Sequence, residues 1–250
     1  MSEEQKFPSE IIDLPSEGKC YPKDSPLSSG KLEIKYMTAK EEDILTSTNL
    51  IKKGVVIDVL MNSLILTEGV TTDDLILGDK NAVMVAARIL AYGPEYECEV
   101  SHPTNGQKLK TTINLAECPF RKIEKDIDIN NIEIKLPICK KTVGIRLLTG
   151  KEEKLIADDL KAAKKTGSQV SPELTTRLRH TIISIDGDDN QSVINAFANN
   201  ILSRDSLHLR QEMKKMTPDI ELKQEVEIGG DTVEVDIPMT VGFFWPNIKT

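Results

Sequence analysis

Asp186-Gly187-Asp188-Asp189-Asn190 has the alternating oxygen side chains that open a calcium-binding loop. The rest of that pattern is missing. Gln191 stands where the sharp turn needs glycine, and Phe197 where the bidentate glutamate belongs, so the stretch predicts a helix-to-helix turn ending in a cap. Cys98 and His102 are spaced like half of a zinc site, but no second pair of that kind exists to close a tetrahedron. His102, His180 and His208 are widely separated, and none has a triad-like or metal-like neighbour set. There is no glycine-rich phosphate loop, nucleophile elbow or HExxH. Glu41-Glu42 and Glu152-Glu153 could be imagined as acid–base pairs, but adjacent helical residues point about 100° apart. At the start of a helix such glutamates cap amides and favour the dipole, which explains them fully. The residues predict no catalytic group, no cofactor and no metal.

The elements around those glutamates occur twice. Leu32-Glu33-Ile34-Lys35-Tyr36-Met37-Thr38-Ala39-Lys40-Glu41-Glu42-Asp43-Ile44-Leu45 returns as Val143-Gly144-Ile145-Arg146-Leu147-Leu148-Thr149-Gly150-Lys151-Glu152-Glu153-Lys154-Leu155-Ile156. Each copy reads as a short strand entering a helix, with threonine at the N-cap and glutamate three residues on, the arrangement of a capping box. Further along, Leu75 to Val83 resembles Ile201 to Leu209, with Asp79 and Asp205 each placed to cap a following helix. Two alternating pairs follow: Tyr96 to Val100 with Lys110 to Leu115 around Asn105-Gly106, and Leu222 to Ile228 with Val233 to Ile237 around Gly229-Gly230-Asp231. Both read as hairpins. The chain is therefore expected to be α+β, a tandem duplication of a strand–helices–hairpin unit.

Helices are expected at 39–49, 55–66 and 80–92, then at 150–164, 172–185, 190–202 and 206–215, with a strand at 131–136. The implied organisation is an extended N-terminal arm at 1–31, a first unit at 32–115, a bridge at 116–142, a second unit at 143–240 and an aromatic tail at 241–250. The arm interleaves prolines with Phe7, Ile11, Leu14 and Tyr21, too apolar for a solvated tail and suited to lying along a neighbouring surface. The tail gathers Phe243, Phe244 and Trp245, the only tryptophan. Either it plugs the core of the second unit, or it docks into another chain as an aromatic anchor. Those seven residues are the candidate partner-binding positions.

Composition narrows the function classes. A net charge of −8 with no polybasic run argues against coating nucleic acid. No segment has the apolar length of a membrane span, and the acidic start, Met1-Ser2-Glu3-Glu4, lacks the apolar core of a secretory signal. Four scattered cysteines suit free thiols in a reducing cytoplasm.

Leu14-Pro15-Ser16-Glu17-Gly18-Lys19-Cys20-Tyr21-Pro22, then Tyr36 to Leu45, Asn49 to Gly54, Gly78 to Ala82, Ala86 to Leu90, Leu147 to Gly150, Glu173 to Leu178 and Phe244-Trp245-Pro246 together carry a resemblance. In these blocks the chain resembles baseplate hub proteins of T-even-type contractile-tailed phages. The resemblance implies a non-enzymatic structural or assembly protein, in the virion tail baseplate or in the host cytoplasm during tail assembly. Its implied partners are other hub proteins and the tape measure protein, with a homo-oligomer possible and no direct nucleic-acid contact. Some relatives carry a Cys-Pro-x-Cys-Gly knuckle in the first hairpin and Cys-x-x-Cys-Gly in the second. Here those places read His102-Pro103-Thr104-Asn105-Gly106 and Val226-Glu227-Ile228-Gly229-Gly230, so the joining zinc is expected to be absent and apolar strand pairing to replace it. The alternative class, a metal-assisted nucleic-acid enzyme or binding module, would need clustered ligands or a basic face.

Overall fold

The computed structural model describes residues 8–101, 106, 108–123, 126–166, 170–228 and 231–245. The protein is α+β, with helices between small antiparallel sheets. Strand β1 (Ser9–Asp13) pairs antiparallel with β2 (Lys31–Lys35) in the register Ile11↔Glu33. Then come α1 (Ala39–Thr46), α2 (Thr48–Lys53), α3 (Val56–Leu64) and α4 (Leu77–Tyr92), followed by the hairpin of β3 (Glu95–Ser101) and β4 (Lys108–Asn114). A short β5 (Phe120–Arg121) leads to β6 (Ile132–Lys135), which pairs with β7 (Thr142–Ile145). The second half continues with α5 (Gly150–Lys165), α6 (Glu173–Thr181), β8 (Ile182–Ile185), α7 (Gln191–Asn200) and α8 (Ser203–Met216). It closes with β9 (Asp219–Ile220), paired to β5, and the hairpin of β10 (Lys223–Ile228) and β11 (Asp231–Asp236).

Element order matches between the halves at several points. In each half a strand pair leads through a capping-box threonine into a helix. A later helix then gives way to backbone that bridges the second strand: Ile65 after α3 bridges Ile34, and β8 after α6 pairs with β7. The halves differ between that point and the next matched helix, where the first half has the loop 66–76 and the second has α7.

Several boundaries differ from the sequence expectation. The helix expected at 39–49 breaks at Ser47, whose backbone is extended, and α2 starts anew. The helix expected through 185 ends at Thr181, because the β-branched run Ile182-Ile183 is drawn into the sheet beside β7. Helices α4 and α8 begin at Leu77 and Ser203, so Asp79 and Asp205 sit as third helical residues and are not the caps. Residues 8–31, expected as an extended arm along a neighbouring surface, lie against the body of their own chain. β1 is one side of a ladder, Leu14 and Leu27 are fully buried, and Leu14 N–H donates to Gly30 O at 2.8 Å. The intervening loop crosses itself so closely that a Cβ on Gly18 would lie 2.2 Å from Ser28 O.

Two apolar clusters hold the fold, and each draws on both halves. The first joins Leu32, Ile34, Leu60, Leu64 and Val83 to Val233, Val235, Ile237, Phe243 and Phe244 from the far end of the chain. The second joins Ile132, Ile134, Val143, Ile145, Leu178, Ile182 and Leu209 to Cys20 and Ile76 from the first half. The aromatic tail is thus a core plug, but in the first half's cluster and not the second's, with Tyr96 and Phe243 rings 5.4 Å apart.

Candidate interaction surfaces

A cleft of about 760 Å³ is floored by β8 and walled by α5, α6 and α7. Arg146, Arg179 and His180 line it together with Glu152, Asp159 and Asp189. His180 Nε2 lies 2.9 Å from Asp159 Oδ2, the one feature that suggests a relay. Ser184 also lines the cleft, yet its hydroxyl packs over the Cα of Gly144, where a Cβ would meet it at 2.2 Å. Glu152 is already engaged, with Oε2 accepting from the Thr149 amide at 3.0 Å and from the Thr149 hydroxyl. Arg146 stands 3.9 Å from the other oxygen of Glu152. The cleft therefore presents mixed charge of both signs, suited to polar contact with another surface.

The calcium-like loop is exposed, and Asp186, Asp188 and Asn190 accept hydrogen bonds from their own chain. Asp186 accepts from the Thr142 amide at 2.9 Å and from Lys141 Nζ at 3.0 Å, bonds that hold its carboxyl below the usual range. Asp188 accepts from Asn190 N–H, and Asn190 caps α7 by accepting from Ser192 N–H, both at 2.9 Å. Among the described residues no group of three or more His, Cys, Asp or Glu could hold a metal ion. His102 lies outside the described residues, as do both glycines of the second hairpin's turn. Cys98 packs against the first cluster, and β10 runs beside β4 without a hydrogen-bonded ladder between the two hairpins among the described residues.

Asp79 and Asp205 have a role that their helical positions did not suggest. Asp79 is buried and accepts from Ser16 N–H at 3.0 Å, Ser16 Oγ at 2.6 Å and Tyr21 Oη at 2.7 Å. Burial raises its carboxyl above the ordinary value despite those bonds. Asp205 accepts from Ile138 N–H at 2.7 Å and Cys139 N–H at 3.0 Å. Burial opposes ionisation there too, but the two amides outweigh it and the carboxyl is lowered. Each aspartate thus ties the first turn of a helix to the segment just after a Leu-Pro pair, Leu14-Pro15 or Leu136-Pro137. That repeated pair was the available sequence signal, and it places β1 and β6 in corresponding positions.

The seven candidate partner-binding residues divide sharply. Phe7 lies outside the described residues. Leu14, Phe243 and Phe244 are fully buried within the chain. Tyr21 packs between the two clusters and donates its hydroxyl to Asp79, while Ile76 N–H donates to the same hydroxyl oxygen at 3.1 Å. Burial first, then the neighbouring carboxylate, pushes that phenol far above its ordinary range. Trp245 is half-buried against the first cluster. Ile11 is exposed on the outer face of β1. The sequence reading missed Ile138, Leu202 and Leu207, large apolar side chains left exposed around the start of α8.

A family model described as T4 bacteriophage base plate protein matches residues 9–245. Comparison with curated proteins gave no match, and neither did comparison with solved structures. Among the described residues no helix is long and apolar enough to cross a membrane.

Proposed function

The chain belongs to the T4 bacteriophage base plate protein family, and from that premise we propose that it is a non-enzymatic structural or assembly protein of the baseplate hub. The observation that carries the reading is the extent of the match, which runs through both halves and through Trp245. The use made of the polar residues supports it. Glu41, Glu152, Asp79, Asp186 and Asp205 all hold backbone amides or hydroxyls of their own chain. A protein built this way works through its surfaces. Ile11 and Trp245 are the candidate residues that keep area for a partner, whereas Leu14, Phe243 and Phe244 act by shaping the body beneath.

The partners in this reading are other hub proteins and the tape measure protein. The test is co-purification of those proteins with the tagged full chain from infected cells, comparing the natural sequence with Ile11→Asp and Trp245→Ala. The reading expects hub proteins to co-purify and both variants to lose them while melting within a few degrees of the natural chain. Recovery of no tail protein with the natural chain would overturn it. Immunoblotting of gradient-purified phage then separates the two roles within the reading, since a retained component sediments with the virion and an assembly chaperone does not.

A further inference from the structure

The contact between the halves is directional. Ile76, the residue before α4, forms an antiparallel bridge with Thr149. Leu77 N–H donates to Leu148 O at 3.2 Å and Gly150 N–H to Leu75 O at 2.9 Å. Beside them Lys154 pairs with Asp73. In this way the entry to α4 in the first half receives the strand-to-helix joint of the second, and Ile76 is 0 % exposed.

Each half also has the piece the other used. The corresponding entry to α8 is Leu202, which precedes that helix as Ile76 precedes α4. Leu202 is 51 % exposed, and Ile138 at 42 % and Leu207 at 47 % are exposed in the same region, where Asp205 binds the Ile138 amide. In the first half the positions matching Ile138 and Leu207 are Ser16 and Asn81, both polar, and both are hydrogen-bonded within the chain. The half left uncovered is thus the more apolar one, the reverse of what a solvated face needs. The corresponding joint is Met37-Thr38-Ala39 at the start of α1, where Ala39 and Lys40 are exposed.

We infer that the α8 entry of one copy of this chain receives the Met37–Ala39 joint of a second copy, repeating between molecules the contact already made within each. Continuity with the internal junction selects this occupant. Charge agrees: Arg204 on the open entry and Asp43 on the open joint are both exposed and opposite in sign. The backbone agrees as well. The amides of Ala39 and Ser203 are first-turn donors with no intrahelical acceptor, and the internal template directs their counterparts to carbonyls across the junction. Ala39 replaces Gly150, whose Cβ would strike Thr72 O at 2.0 Å, but Thr72 belongs to the loop 66–76, which α7 replaces in the second half. Such a contact is head-to-tail, so it yields a closed ring or an open chain of copies according to the rotation per step.

The inference extends the assembly reading to a second copy but stands on the junction alone. A chain that self-associates yet captures no hub protein would sink the proposed function and leave this standing. The experiment is sedimentation velocity of the full chain at rising concentration, with Leu202→Glu and Ala39→Arg made separately. Both positions are exposed, so both variants should fold, as circular dichroism will verify. The natural chain should associate, each variant should associate about tenfold more weakly or worse, and an equimolar mixture of the two should recover a 1:1 pair. That recovery occurs because each variant keeps the face the other lost. Arg204→Glu should weaken association and Asp43→Arg in the same chain should restore it, which covers the case of a variant that fails to fold. A natural chain that stays monomeric, association indifferent to these changes, or a mixture that does not pair would overturn the inference.

Discussion

Replacing Glu41 with glutamine separates the charge of a buried capping box from its shape. Glu41 is fully buried at the start of α1, with Oε2 accepting from the Thr38 amide at 2.9 Å and the Thr38 hydroxyl at 2.6 Å, and Oε1 accepting from Lys35 at 2.8 Å. Burial alone would raise the carboxyl, but the Lys35 and Thr38 bonds outweigh it and hold the pKa at about 2 against an ordinary 4.5. That gap, at about 1.36 kcal/mol per unit, corresponds to about 3 kcal/mol of stability at neutral pH. Because the folded value is the lower one, the contribution is complete above about pH 5, fades as pH falls, and is gone below about pH 2. Glu41→Gln keeps the volume and an oxygen for Thr38 but gives Lys35 no charge, so it should cost about 2–3 kcal/mol at pH 7 and little in strong acid. Urea unfolding followed by circular dichroism at stepped pH reads both quantities. The second half supplies a control, because Arg146 stands 3.9 Å from Glu152 and is more exposed than Lys35. Glu152→Gln should therefore cost only about 1 kcal/mol. Equal losses from the two substitutions, or a Glu41→Gln deficit that does not shrink in acid, would refute this account.

Phe244→Ala should lower stability by about 3–5 kcal/mol in denaturant unfolding, since the ring is fully buried in the first cluster and its loss leaves a cavity. Gly150→Ala should cost about 1–3 kcal/mol, because its new Cβ would meet Thr72 O at 2.0 Å and the junction between the halves would have to open. Asp205→Ala should speed hydrogen exchange at the Ile138 and Cys139 amides, which lose their only acceptor among the described residues, while the α4 amides far from it keep their protection.

Much of the local structure was legible in the sequence because short-range physics decides it. The Thr38/Glu41 and Thr149/Glu152 spacings fix two helix starts through bonds only three residues long, and the α+β class follows from the alternation of periods two and 3.6. The family blocks were equally visible, since they are statements about sequence. What sequence left open was where each apolar run would find its partner. Ile182-Ile183 could extend a helix or join a sheet, and only the open edge of β7 made it a strand. Phe243 and Phe244 could plug the second half or dock into another chain, and their place in the first half's cluster goes with β10 returning beside β4. Asp79 and Asp205 look like caps by position, yet burial against Ser16 and Ile138 turned them into anchors for distant segments. The same holds for Ile76 and Leu202, one covered and one open, although their surroundings in the sequence are alike. Local propensity acts over a turn of helix or a hairpin, whereas burial is a property of the whole surface, settled only when both halves have packed.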